Sequence, residues 1–560
     1  MRADILKQLR HHEALPAALL LSGSLLFYLP LSVAVDNTVF FVFSAAQLAL
    51  GLALAWVLLA AALVGIAALV PPRARHIWAA LLAGAGVFAW LQGWILTREY
   101  WELHWWLPPR GRIAVFSIDT LGAVVLFVAA SAIYLRWRDE AARFLWLLNA
   151  GLALWTCALV AAAPGKPLDL ERPRDLARFS AERNIVVLLL DAFQGDLFAE
   201  IMDREPQLRP VFEGFVYYRD AAGVASSTHL SIPTIHSGRL YADDASIRQF
   251  YRETVAEGSF MAHLAQAGYR GTYVNPMMDT CPRGLAWCGH EATVHDGLAP
   301  VYGREARLLA DVAVRRTLPG FLRDYFYEGA AFDPDIHGRI ERGGKLLDAV
   351  TANVVVDRGP PRVKFIHLMS THAPVKVNQD CEPRVGRHWV RDDMRRQATC
   401  AVKRVARFMT ALKKHGIYDQ TTVVVLADHG SGLPPRAPTG DSWTPKFQLL
   451  NGMADVLLLV KPAQSRGPLQ ESWRPVDLRD VSATICAESG ACAVAAGAEP
   501  LVGGGSADTA RERAFMFYPW WFGKWTKDRL TVPERYRIVG PRTQRTAWRP
   551  LNNNGVDREL

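Results

Sequence analysis

Apolar residues crowd into the first 164 positions of this 560-residue chain, and that asymmetry restricts the fold more than any single motif does. Five stretches stand out, at roughly 15–35, 39–70, 77–97, 113–135 and 144–163. Each reaches the length of about 20 residues that a helix needs to cross the hydrocarbon layer of a bilayer. The second is longer than a crossing requires, so it is expected to tilt or to end in the interface. The first does not read as a cleaved signal peptide, because further spans follow and no small-residue cleavage pattern closes it. An apolar content of 51% agrees with a chain that lives partly in a membrane.

Basic residues orient the spans. Arg2, Lys7 and Arg10 precede the first, Arg73 and Arg75 follow the second, and Arg136, Arg138 and Arg143 separate the fourth from the fifth. The loop at Asp36 and Asn37 carries no basic residue, while the loop after the third span carries Arg98, Arg110 and Arg112. This bias places the N-terminus in the cytoplasm, and five crossings then put everything after residue 164 outside. The cysteines agree. Cys157 lies inside a span, and the other six of the seven form sequence-local couples, Cys281 with Cys288, Cys381 with Cys400 and Cys486 with Cys492, as expected for disulfides in an oxidising compartment. Metal binding is the rival reading, although no couple is C-x-x-C and none has histidines at finger spacing. The net charge of +9 is spread along the chain, which suits a surface facing anionic lipid or lipopolysaccharide and gives no case for nucleic acid.

The chain divides into three regions: an anchor over 1–164, a polar, proline-bearing linker over 165–183, and an outer domain over 184–560. The outer domain opens with "NIVVLLLDAF", an apolar run ending in Asp191 that has the form of a buried strand. "VKFIHLMSTHAP" repeats the form and leads into His372, and "TTVVVLADHG" leads into Asp428 and His429. Helical patterns lie between, the clearest over Arg395 to His415 with Gly416 as its stop. Buried strands alternating with helices predict an α/β domain with a mostly parallel central sheet covered on both faces, its ligand site at the carboxyl ends of the strands.

Those strand ends deliver Asp191, His372 and the pair Asp428–His429, and a hydroxyl-rich turn, "SSTHLSIPTIHSGR" from Ser226, comes after the first strand. Aspartate and histidine with a hydroxyl oxygen suit a small divalent ion, and the nitrogen donor favours zinc over calcium or magnesium, with manganese also admissible. Taken singly, an aspartate at a strand end is more often a cap or turn residue, and a histidine more often a satisfied polar group.

Together, "STHLSIP", "LADHG" and "STHAP" resemble the T-x-x-S-x-P, S-D-H-G and G-S-H-x-P segments of the membrane phosphoethanolamine transferases, relatives of the phosphoglycerol transferases within the alkaline phosphatase and sulfatase superfamily. The resemblance covers residues 184 to about 490, and the anchor matches in topology. It implies a multi-pass protein of the bacterial inner membrane with a periplasmic catalytic domain and one or two divalent ions. It implies Thr228 as nucleophile, Asp191, Thr228, Asp428 and His429 as metal ligands, and His372 as phosphate-binding group or general acid. The expected reaction passes a phospholipid headgroup, phosphoethanolamine or phosphoglycerol, through a phosphothreonine to a lipid or glycan acceptor of the cell envelope.

Ser231 is the competing nucleophile, since sulfatases modify a Cys or Ser in C/S-x-P-x-R, but here Ile235 stands where the arginine should be. Ser226, Ser227 and Ser231 read as turn and capping groups. The chain also departs from the transferases: no histidine follows His429, Ser431 replaces the glutamate common after D-H-G, and cysteines flanking the nucleophile are absent. His229, His236, His367 and Lys446 are candidates for the missing group, His367 and Lys446 as substrate contacts. Two aromatic clusters, from Tyr100 and from Phe517, suit the headgroup layer, and Asp119 falls near the outer end of the fourth span. The rival functions are hydrolysis of a sulfate or phosphate ester and a non-catalytic membrane scaffold. Oligomeric state is left open.

Overall fold

The computed structural model describes residues 13–36, 41–96, 109–163, 175–242, 245–275, 280–289, 298–318, 336–384, 386, 390–434, 444–502, 511–517 and 534–551. The chain divides into two compact units, one of residues 1–168 with 296–334 and one of 169–295 with 335–560.

In the first unit, Leu15–Val35, Ala45–Ala67, Pro72–Trp94 and Arg138–Ala162 are long and apolar enough to cross a membrane. The count of full-length spans among the described residues is thus four where the sequence predicts five; the fourth predicted span is met by a shorter apolar stretch, Thr120–Arg136, within the helix Pro109–Arg136. Asp119 belongs to that helix. The aromatic cluster from Tyr100 lies outside the described residues up to Pro108. A π-helical turn at Ser24–Tyr28 interrupts the first span. Asn149, a costly residue in lipid, is fully engaged: its amide donates to the carbonyls of Pro16 and Leu145, and its oxygen accepts from the Tyr28 hydroxyl.

The second unit is built on an eight-stranded sheet. Its strands, in chain order, are β1 (Asn184–Leu190), β2 (Val216–Tyr218), β3 (Arg270–Val274), β4 (Trp287–Gly289), β5 (Arg362–Leu368), β6 (Thr421–Leu426), β7 (Leu458–Lys461) and β8 (Gln470–Ser472). Their order across the sheet is β8-β2-β7-β6-β1-β5-β3-β4, and β7 alone runs against the rest. The parallel core is the expected one, and its cause is visible in composition. Every residue of β1, β5 and β6 is buried, so both faces of the central strands are covered; β1 and β6 meet this with mostly apolar residues, whereas β5 also buries Arg362, Lys364 and His367, each held by a partner, Asp357, the Asp175 carbonyl and Asp191 respectively. Register sets where these strands terminate: Leu190 pairs with Leu368, and Leu189 with Leu426, so the three central strands end side by side.

A three-stranded antiparallel sheet of β9 (Glu512–Phe517), β10 (Glu534–Val539) and β11 (Trp548–Pro550) closes the unit. The residues after Phe517 in the second aromatic cluster lie outside the described set. The last part of the sequence-defined linker is structured: Arg178–Ser180 forms a short strand beside Val355–Asp357, with Phe179 fully buried. All three expected disulfides form, Cys281–Cys288, Cys381–Cys400 and Cys486–Cys492, and Cys157 stays free.

Candidate active site

Because β6, β1 and β5 are parallel neighbours in register, their carboxyl ends bring together residues far apart in sequence. Asp191 follows β1, Asp428 and His429 follow β6, and His372 follows β5 after a single 3-10 turn, Met369–Thr371. Ligand atoms of Asp191, Asp428 and His429 lie within 4.8 Å of one another. His429 Nε2 is 3.9 Å from Asp191 Oδ1 and 3.5 Å from Asp428 Oδ2. Its Nδ1 donates to the Gly430 carbonyl at 2.9 Å, which turns Nε2 toward the carboxylates.

Thr228 completes the cluster from a fourth element. It is the first residue of the helix Thr228–Ser237, whose end is set by Gly238 in the left-handed region. The buried hydroxyl sits 3.5 Å from Asp191 Oδ2 and 3.4 Å from His429 Nε2. The free N–H groups of a helix start favour an anion there. Ser231, one turn on, is turned away and donates to the Ala225 carbonyl. Ser227 takes the N-cap position in extended conformation without a side-chain capping bond. The geometry therefore separates the two candidate nucleophiles and brings only Thr228 to the acidic cluster.

The backbone around Asp191 is locked. Ala192 adopts φ 57°, a left-handed conformation that costs a non-glycine residue roughly 1–2 kcal/mol. Its N–H donates to Asp428 Oδ1 at 3.1 Å, and its carbonyl accepts from the Ser431 hydroxyl at 2.5 Å. The Thr371 hydroxyl donates to the Asp191 carbonyl at 2.6 Å. Ser431 thus braces the strand end. Neither it nor Thr371 carries a sequence signal beyond its place beside a motif.

His367, read from the sequence as a substrate contact, lies on β5 with its ring wholly buried, and its Nε2 meets Asp191 Oδ2 at 2.7 Å. It orients the carboxylate from beneath. Lys446 pairs with Glu534 at 2.9 Å, and no contact among the described residues joins it to the Asp191 cluster. His229 and His236 are also buried, and burial pushes them down to about 4 and about 3 respectively. His372 is partly exposed, with Nδ1 against the Ala373 carbonyl and Nε2 3.9 Å from Asp191 Oδ1.

Electrostatically the cluster is short of positive charge. Burial would raise the Asp191 carboxyl, but the hydrogen bond from His367 and the charges of His372 and His429 outweigh it and hold Asp191 well below the ordinary carboxylate range. Burial would lower His429, and the carboxylates of Asp428 and Asp191 overcome that and raise it. Asp191 Oδ1 and Asp428 Oδ2 are buried without a hydrogen-bond partner among the described residues. Buried carboxylate oxygens left open, an imidazole lone pair and a hydroxyl are the donor set of a small divalent cation, and the residues fit one.

The fold and this site define an α/β protein with a carboxylate and imidazole group that could hold a divalent metal, and an adjacent hydroxyl, at the carboxyl edge of a parallel sheet. Residues 183–490 match the family model described as Sulfatase, over half of the chain, and the protein belongs to the sulfatase family. No curated protein sequence matches it. Among solved structures it is similar to Ps i-CgsB in complex with k-i-k-neocarrahexaose (13% identity, TM-score 0.42, covering 68% of this chain and 88% of that one). It is also similar to the phosphonate monoester hydrolase SpPMH from Silicibacter pomeroyi (15%, TM-score 0.36, 60% and 80%) and to the zinc complex of the C-terminal periplasmic domain of EcEptC from Escherichia coli (11%, TM-score 0.36, 63% and 92%).

Proposed function

We propose that the protein is a membrane-anchored phosphotransferase that moves a phospholipid headgroup, through a covalent phosphothreonine at Thr228, to a lipid or glycan of the cell envelope. The observation that carries this reading is the place of the Thr228 hydroxyl, at a helix start and within 3.5 Å of both Asp191 and His429. Asp191, Asp428, His429 and the Thr228 hydroxyl would hold the metal, with zinc favoured by the nitrogen donor. A divalent ion bound there supplies charge that acidifies the hydroxyl and offsets the charge developing on phosphoryl oxygens.

The remaining steps belong to the chain's own groups. Thr228 Oγ1 attacks phosphorus, the bond from phosphorus to the diacylglycerol oxygen breaks, and the hydroxyl proton leaves to solvent. His372 Nε2, left free because Nδ1 is bonded to the Ala373 carbonyl, gives a proton to the departing oxygen. In the second step an acceptor hydroxyl attacks the same phosphorus, the bond from phosphorus to Thr228 Oγ1 breaks, His372 takes the acceptor's proton, and Thr228 Oγ1 regains a proton from solvent. His367 and the Ser431 brace keep Asp191 and Asp428 in place throughout. The anchor accounts for donor and acceptor that both reside in or beside a bilayer.

The test is peptide mass analysis of the full chain after incubation with vesicles of phosphatidylethanolamine or phosphatidylglycerol. Gain of one phospho-headgroup on the Thr228 peptide, absent in Thr228→Ala, is the expected result and names the donor. Free headgroup released without label on any lipid or glycan would favour the hydrolase reading. A protein that binds no divalent ion and forms no adduct would favour the scaffold.

A further inference from the structure

Residues 298–317 lie in sequence between two strands of the outer sheet, β4 and β5, yet they fold with the spans. They form one helix, Leu298–Thr317, in which Val301, Glu305, Leu309, Ala313 and Thr317 are all buried. That is a single stripe at a spacing of four residues, the signature of a helix seated along one face.

The seat is the start of the second span and the ends of the first and third. The Glu305 carboxylate accepts from the backbone N–H of Val42 at 2.6 Å and of Phe43 at 3.1 Å, just before the capped helix Ala45–Leu69. Both N–H groups lie just outside the helix's own hydrogen-bond ladder, and a negative charge before a helix start complements its dipole. The Tyr302 hydroxyl accepts from Gly51 N–H at 2.9 Å and donates to the Leu48 carbonyl at 3.0 Å, and its ring meets Phe43 edge-on at 5.2 Å. Gly51 makes the seat, because a Cβ there would fall 2.2 Å from the Tyr302 hydroxyl. At the other end of the helix, Thr317 lies beside Gly93, where a Cβ would meet it at 3.6 Å and Leu29 at 3.1 Å. Successive spans run in opposite directions, so the end of the first, the start of the second and the end of the third share one side of a membrane. It is the side to which the positive-inside rule assigns the outer domain.

We infer that the Leu298–Thr317 helix is a second membrane attachment of the outer domain, docked on the outer ends of the first three spans and independent of the 165–183 linker. The chain passes between the two units at 168/169, 295/296 and 334/335, and cutting the first passage leaves the other two. No disulfide bridges the cut, since all three lie on its C-terminal side. The inference does not depend on the reaction proposed above.

The experiment places a protease site in the 165–183 linker of the full chain with an affinity tag on the N-terminus, and asks in mild detergent whether the cleaved outer fragment co-elutes with the anchor. Co-elution of the wild-type fragment, and its loss when Glu305→Ala is combined with Gly51→Leu, is the expected pair of results. Release of the wild-type fragment on cleavage would overturn the inference. So would full retention of the double variant, which would assign the attachment to other residues. Uncut protein of both kinds, eluting as a single chain with an unchanged melting profile, shows that the variants fold.

Discussion

Gly430 shows how much of the site hangs on one missing side chain. A Cβ there would meet the Gly452 carbonyl at 2.0 Å and the Asp455 carbonyl at 2.5 Å, both backbone atoms that cannot swing aside. The glycine lets the segment after β6 run against the end of the helix Pro445–Ala454, where its N–H bonds the Met453 carbonyl, and so fixes His429. Gly430→Ala is expected to cost about 1–3 kcal/mol, as overpacking does, and to weaken divalent-ion binding. Thermal unfolding with and without added zinc reads both effects.

His236 tests the opposite case, a titratable group with no part in the chemistry. Its ring stacks on Phe260 and packs against Tyr273 and Phe365, and neither nitrogen has a hydrogen-bond partner among the described residues. Burial lowers it to about 3 from an ordinary 6.5, so between those values the unfolded chain takes up a proton that the folded chain refuses. Stability therefore falls as pH drops through that window. His236→Phe is expected to remove this share of the loss, so the melting temperature of the variant should gain on wild type at pH 5 relative to pH 7.5.

Among the elements, the long helix Arg391–Lys414 does more than cover the sheet. Gln397, fully buried, donates to the His372 carbonyl at 2.8 Å and accepts from Lys376 N–H at 2.7 Å, clamping the segment that carries His372. One turn further on the same face, Cys400 ties the far end of that segment through Cys381. Gln397→Leu is expected to speed hydrogen exchange at the Lys376 amide and to lower turnover while bound metal is unchanged. Exchange mass spectrometry and metal analysis of the same sample check it, and loss of metal would mean that the helix supports the whole site. The closing sheet is likewise tied in: Arg542, just beyond β10, pairs with Asp455 at 2.8 Å and bonds Asn451 at the end of the helix against which Gly430 packs.

For the whole molecule, a divalent ion that binds the folded state and has no assembled site in the unfolded chain must raise apparent stability with its concentration. Chelation is expected to lower the melting temperature of wild type and to leave Asp428→Asn little changed, with zinc restoring only the former. Equal shifts in both would place the bound ion elsewhere.

Much of this architecture is legible in the chain because its signals are local. Apolar runs announce β1 and β6, long apolar stretches announce the anchor, and cysteines close in sequence announce their own pairing. The motif order likewise points to Asp191, Thr228, Asp428 and His429 before any coordinate is known. Only the tertiary structure decided that Ser231 turns away, that His367 is spent on Asp191, that Gln397 holds His372, and that residues 298–317 fold with the spans. Each of those depends on a partner brought close by strand register or helix docking. Periodicity fixes which face of an element is buried, and it carries no information about which distant side chain will meet it there.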